Sequence, residues 1–138
     1  MRRLLQVSTT TTLLAIGGLH AMWGRGSTFP FSDRDQLNDT VIGRAATPSP
    51  AACYGVAGLL AASGALVAGL PARDNWVRRA GVCTVAAVLG TRAALGFAGK
   101  TELVSPGSSS PRFLRMDRRV LSPLCLALAI GAASSLRS

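Results

Sequence analysis

Residues 80–98 read AGVCTVAAVLGTRAALGFA, and Arg92 is the single charge among them. At a helical rise of about 1.5 Å per residue, such a stretch matches the hydrocarbon core of a bilayer. An ionisable side chain inside a membrane span is costly, so it needs a partner. The chain offers two candidates, His20 and Asp117, each at the end of another apolar run.

The rest of the composition agrees with a membrane setting. Of 138 residues, 49% are apolar, 15% are charged and 5% are aromatic, with a mean hydropathy of +0.35. The apolar content is therefore Ala, Leu, Val and Gly, which suits close helix packing in lipid. A soluble domain of this length needs more surface charge. The net charge of +9 does not point to nucleic acid. The basic residues sit at the ends of apolar runs (Arg2 and Arg3; Arg78 and Arg79; Arg115, Arg118 and Arg119), where they meet anionic headgroups. Few aromatics interleave with them, as a nucleic-acid surface would require. Cys53, Cys83 and Cys125 follow no metal or redox spacing and read as small packing residues. A Cys53–Cys125 disulfide requires a proximity that sequence cannot establish.

Four apolar runs predict an all-α fold: a four-transmembrane-helix up-down bundle forming one integral membrane domain over residues 1–138. The helices are expected at about 4–23, 51–70, 76–98 and 118–136. The longer loops, 24–50 and 99–117, then lie on one face. The first run carries Ser8 and Thr9 to Thr12, whose hydroxyls can bond back to helix carbonyls. Its competing reading is a cleaved signal peptide, but the run is long and Leu19 suits a cleavage site poorly. Loop 24–50 reads as solvated. Asp33 and Asp35 lack the glycine and glutamate of a calcium loop, and residues 39–43 can form a short surface helix. In the second run Gly55, Gly58, Gly64 and Ala68 favour close helix contact. Asn75 is a capping residue for the third helix, where Arg92, Gly96 and Gly99 share a face. A helix starting at Pro123 would be only about 21 Å long, so the last one starts near Asp117 or Arg118 and bends at Pro123.

The basic start predicts that both termini are cytoplasmic in a plasma (inner) membrane. Charge counting gives six basic residues inside (Arg2, Arg3, Arg73, Arg78, Arg79, Arg137) and eight outside, but the inner segments are shorter and the first helix dominates.

Alternating helices bring His20, Trp23, Arg92 and Asp117 to one membrane face. Gly17 and Gly24 flank His20 and leave room around the imidazole. Two readings follow. Arg92 and Asp117 can clamp two helices in a structural or accessory membrane protein, the reading given precedence. Alternatively, the cluster binds or transports a small molecule or lipid head group, with Arg92 on an anionic group and His20 exchanging protons. No nucleophile–His–acid spacing, phosphate loop, metal motif or cofactor motif is present, so no catalytic residue, metal or cofactor is assigned. The expected partners are the lipid bilayer and either a membrane protein or a small ligand.

The motifs also resemble a known family. His20-Ala21-Met22-Trp23-Gly24 with Gly26 to Pro30, the stretches Asp33 to Leu37 and Val41 to Arg44, Arg92 to Gly96, Pro106-Gly107-Ser108, Pro111-Arg112-Phe113, and Asp117-Arg118-Arg119 with Ser122 to Leu126 are similar, in order, to the bacterial family called domain of unknown function 3995. The resemblance implies a small four-helix integral membrane protein and no assigned activity. It also argues against signal cleavage. Leu121 departs from the family pattern, where a Tyr often stands; that phenol could hydrogen-bond near Asp117.

Overall fold

The computed structural model describes residues 1–72 and 75–137, and all regular structure among them is helical. Helix α1 spans Arg2–Gly24. A short α2, Arg34–Leu37, continues as a π-helical turn over Asn38–Ile42. Helix α3 spans Pro50–Ala68 and α4 spans Trp76–Phe97. The last stretch is helical from Pro111 to Arg137. It contains α5 (Pro111–Met116), a π turn (Asp117–Leu121), α6 (Ser122–Ser134) and a closing 3-10 turn (Ser135–Arg137).

Three of these helices are long and apolar enough to cross a membrane: Pro50–Ala68, Trp76–Phe97 and the composite Pro111–Arg137. Helix α1 has the length, at 23 residues, but Gln6, its Ser/Thr run and His20 dilute its hydropathy and it is not among the three.

Caps explain where the elements begin. The Ser49 hydroxyl accepts the Ala52 amide and Pro50 opens α3, while Gly69 closes it at φ +112°. Asn75 accepts the Val77 amide at 2.7 Å, the expected cap of α4. Arg73 and Asp74 of the preceding turn lie outside the described residues. Ser110 accepts the Phe113 amide at 3.1 Å and Pro111 takes the first helical position, so the last helix starts earlier than the expected residue 117 or 118. Where a bend at Pro123 is expected, the structure has a π turn just before it. Pro123 has no N–H for the Arg119 carbonyl and its ring crowds that turn, and the chain widens there. Near the other loop, Asp33 caps α2 through the Gln36 amide. The helical segment therefore starts at Arg34 rather than 39, and it is no surface helix, because Leu37 and Asn38 are buried.

Helices α1 and α3 form one packed pair, α4 and α6 a second, and α1–α6 and α3–α4 contacts join them. The core between them is Leu13, Val67, Val82, Leu128 and Ala132. Glycines set the closest approaches. Gly17 faces Ala57 and Leu60, Gly24 faces Cys53 and Tyr54, and Gly64 faces Leu14. Gly17 and Gly24 thus serve the α1–α3 contact instead of making room for His20. Gly55 and Gly58, expected at a helix interface, face open space. The three cysteines are free thiols, so Cys53 and Cys125 are not bridged.

Arg78 corrects a further expectation. It is 1% exposed rather than in the headgroup layer. Its Nε donates to the Leu66 carbonyl and its Nη2 to the Ser135 carbonyl. A guanidinium thereby satisfies the open carbonyl ends of α3 and α6 at once.

Candidate functional site

At the opposite end of the bundle, Arg92 projects from α4 toward the π turn. Its Nη2 donates to Asp117 Oδ1 at 2.7 Å. Asp117 is 1% exposed, and the structure surrounds its carboxylate with donors. The Thr101 hydroxyl donates to Oδ2 at 2.5 Å and the Ser122 hydroxyl to Oδ1 at 3.3 Å. A buried carboxylate is tolerable when it is paired and hydrogen-bonded in this way. Thr101 and Ser122 were not legible as site residues. Ser122 is five residues beyond Asp117, a spacing that shares a side only because the intervening turn is π-helical. Gly96 is as necessary as the charges, since a Cβ there would collide with the Ser122 hydroxyl. With three donors already on it, Asp117 is satisfied whatever side chain stands at position 121.

His20 and Trp23 sit at the end of α1 with ring centroids 4.9 Å apart and planes tilted by 58°. His20 Nδ1 bonds the Ile16 carbonyl at 2.9 Å; since a carbonyl only accepts, Nδ1 carries the proton. The Trp23 indole donates to the Phe29 carbonyl at 2.7 Å and pins the first loop onto the helix end. Among the described residues, His20 has no hydrogen bond to Arg92 or Asp117.

The two long loops are stitched to each other rather than loosely solvated. The Gly43 carbonyl accepts the amides of Ser109 and Ser110, both at 3.1 Å. Ser108 donates to the Ile42 carbonyl and Ser110 to the Asp39 carbonyl. Arg44 reaches the Pro106 carbonyl at 3.0 Å. Gly43 adopts φ +77° and lies so close to the buried Phe113 ring that a Cβ would overlap it.

Beneath this double loop lies a cavity of about 260 Å³. Helix α1 contributes His20 and Trp23, α3 contributes Ala52, Cys53 and Val56, and α4 contributes Arg92. The loops supply Arg34, Leu37, Asn38, Val41, Ile42, Arg44, Thr101, Ser105 and Phe113 among others. The wall is mostly apolar with a few polar groups, the usual make-up of a small-molecule site. Three of the four residues expected to cluster, His20, Trp23 and Arg92, line this space. Asp117 does not line it and stands behind Arg92 as its counter-ion.

Two buried polar atoms among the lining residues have no hydrogen-bond partner: Arg92 Nη1 and Asn38 Oδ1. Asn38 is 3% exposed and uses its Nδ2 on the Ala45 carbonyl and the Thr47 hydroxyl. Orphaned buried polar atoms are uncommon in folded proteins. Asn38 carried no functional signal in the sequence, because its burial depends on the loops folding together.

The family model described as protein of unknown function (DUF3995) matches residues 13–132. The chain belongs to this family. The matched span takes in His20, Trp23, Asn38, Arg92 and Asp117, so the whole cavity of this DUF3995 protein falls within the family's defining region. No curated protein and no solved structure matches the chain.

Proposed function

We propose that this DUF3995 protein is a four-span plasma-membrane protein whose loop-roofed cavity holds a small amphipathic ligand, with arginine side chains in its wall. The observation that carries the reading is the cavity itself: a mostly apolar space with Arg92, already neutralised by Asp117, in its wall. A purely structural clamp needs the ion pair but not the space.

The polarity of α1 supports its place as the fourth span. Gln6, Thr9, Leu13 and Gly17 face inward, and Gln6 Nε2 donates to the Val67 carbonyl of α3 at 2.7 Å. Leu4, Leu5, Val7 and Leu14 face outward. An outward face rich in Leu and Val, with Gln6 bonded to a neighbour and the exposed Ser8 hydroxyl bonded back to the Leu5 carbonyl, is suited to lipid. With four spans both termini lie on one side, and the basic start favours the cytoplasm for them.

Native mass spectrometry of the full chain, extracted in a mild detergent, tests the reading. A retained mass on the wild type that is lost from Ala52→Phe, which fills the cavity without touching the ion pair, is expected. A wild type that keeps nothing, or an Ala52→Phe variant that keeps the same mass, contradicts it.

A second reading, an accessory component that docks on a membrane partner, has one observation in its favour. Gly55 and Gly58 remain open on α3, three residues apart, after the bundle has closed. Co-purification of a defined partner that is lost from Gly58→Leu would favour it.

A further inference from the structure

The cavity's charge balance says more about its ligand, and this step rests on the ligand-binding reading above. Arg34, Arg44 and Arg92 all line the space, and no acidic residue does. Asp117 neutralises Arg92 from behind. Arg34 and Arg44 each give one hydrogen bond to a backbone carbonyl, of Gly26 and of Pro106, which fixes the guanidinium but leaves its charge unopposed. Among the described residues neither forms an ion pair. Arginines at one cavity with no acid on its wall make it electropositive, which attracts an anion. Two uncompensated guanidinium groups call for a ligand with about two negative charges, and guanidinium forks match phosphate oxygens geometrically.

Asn38 sets no ligand contact, because its orphaned Oδ1 is sealed off from the space. The apolar wall from Val56 and Phe113 leaves room for the first carbons of a chain.

The geometry points to a phosphate monoester as the occupant of this cavity, reached either as a lipid headgroup or as a free metabolite, with Arg34 and Arg44 as its charge contacts.

The test uses the full chain in uncharged detergent and four probes: octyl glycerol phosphate, octyl glycerol, glycerol phosphate and vesicles containing phosphatidate. Octyl glycerol phosphate is expected to bind about tenfold or more tightly than octyl glycerol, the worth of one good charge-assisted contact. That preference should disappear in the Arg34→Gln/Arg44→Gln double variant. It should persist in Arg34→Lys/Arg44→Lys and in Arg115→Gln/Arg119→Gln, which removes two exposed charges elsewhere. Binding of glycerol phosphate alone assigns the free ester as the source. Binding of only the alkylated ester and phosphatidate vesicles assigns the headgroup. Both results support the phosphate assignment. Equal binding of octyl glycerol and its phosphate overturns the assignment while leaving the cavity reading intact, and requires no variant to fold. Failure of every probe to bind overturns both.

Discussion

Ser122 reaches back across a π turn to place its hydroxyl 3.3 Å from Asp117 Oδ1, directly over the bare backbone of Gly96. This stacking fixes the distance between α4 and α6 where Arg92 crosses. Gly96→Ala would push a methyl group into that hydroxyl. A loss of about 1–3 kcal/mol of stability is expected from such overpacking. Removing the obstacle should give part of it back: Ser122→Ala costs about 1.5–3 kcal/mol alone, for a hydrogen bond to a charged group, but the double variant should lose less than the sum. Unfolding midpoints of the four proteins in detergent measure this.

The Arg92–Asp117 pair predicts a second coupling. Asp117 is buried while Arg92 keeps a quarter of its side chain exposed. Asp117→Asn therefore strands a partly wetted charge, and Arg92→Ala strands a fully buried one. Arg92→Ala should be the more damaging, by up to about 3–5 kcal/mol for breaking a buried pair. The pair should couple by about 1–3 kcal/mol in a double-mutant cycle. Additive losses would mean that Thr101 and Ser122 hold the carboxylate without help from Arg92.

In the first loop, the Gln36 amide, and after it the Ser32 hydroxyl, hold the Asp33 carboxyl below its ordinary value of 3.8. A depressed folded value means that the cap is fully present above pH 3.8 and is lost as pH falls through the lower folded value. The Gln36 amide resonance should therefore titrate with a midpoint under 3.8, and Asp33→Asn should abolish that titration. A midpoint at or above 3.8 would mean that the cap does not form.

Topology provides a fourth prediction. If α1 spans the bilayer, reporters fused at either terminus report the same compartment. A periplasm-active reporter after Ser138 should be silent, while a cysteine at Ser32 should react with an impermeant maleimide from outside. A strong signal after Ser138 would reverse the topology, and opposite signals at the two termini would leave α1 on the surface and the protein with three spans.

The sequence carried the long helices because twenty-residue apolar runs have few alternatives, and it carried Arg92 because a charge in such a run demands a partner. Antiparallel counting brought both candidate partners, His20 and Asp117, to the face of Arg92, and the structure pairs Arg92 with Asp117. What stayed hidden depended on contacts between segments far apart in the chain. The loops looked solvated, yet serine hydroxyls and the Gly43 carbonyl sew them into a roof. Arg78 looked like a headgroup anchor, and only the packed bundle brings two helix ends within its reach. His20 looked like a proton partner for Asp117, yet its own helix carbonyl and Trp23 hold it. Thr101 and Asn38 are ordinary polar residues until burial gives them a role.

The most direct test of the ligand-binding reading watches the cavity wall. The chain has two tryptophans, Trp23 on the wall and the exposed Trp76. In Trp76→Phe, emission comes from Trp23 alone, and a brominated short-chain amphiphile should quench it saturably. An unbrominated analogue should reverse the quenching, and Ala52→Phe should abolish the saturable part. Quenching that rises linearly with the amphiphile's concentration in the micelle, and is the same in Ala52→Phe, would show that Trp23 faces only lipid and that the cavity holds no ligand.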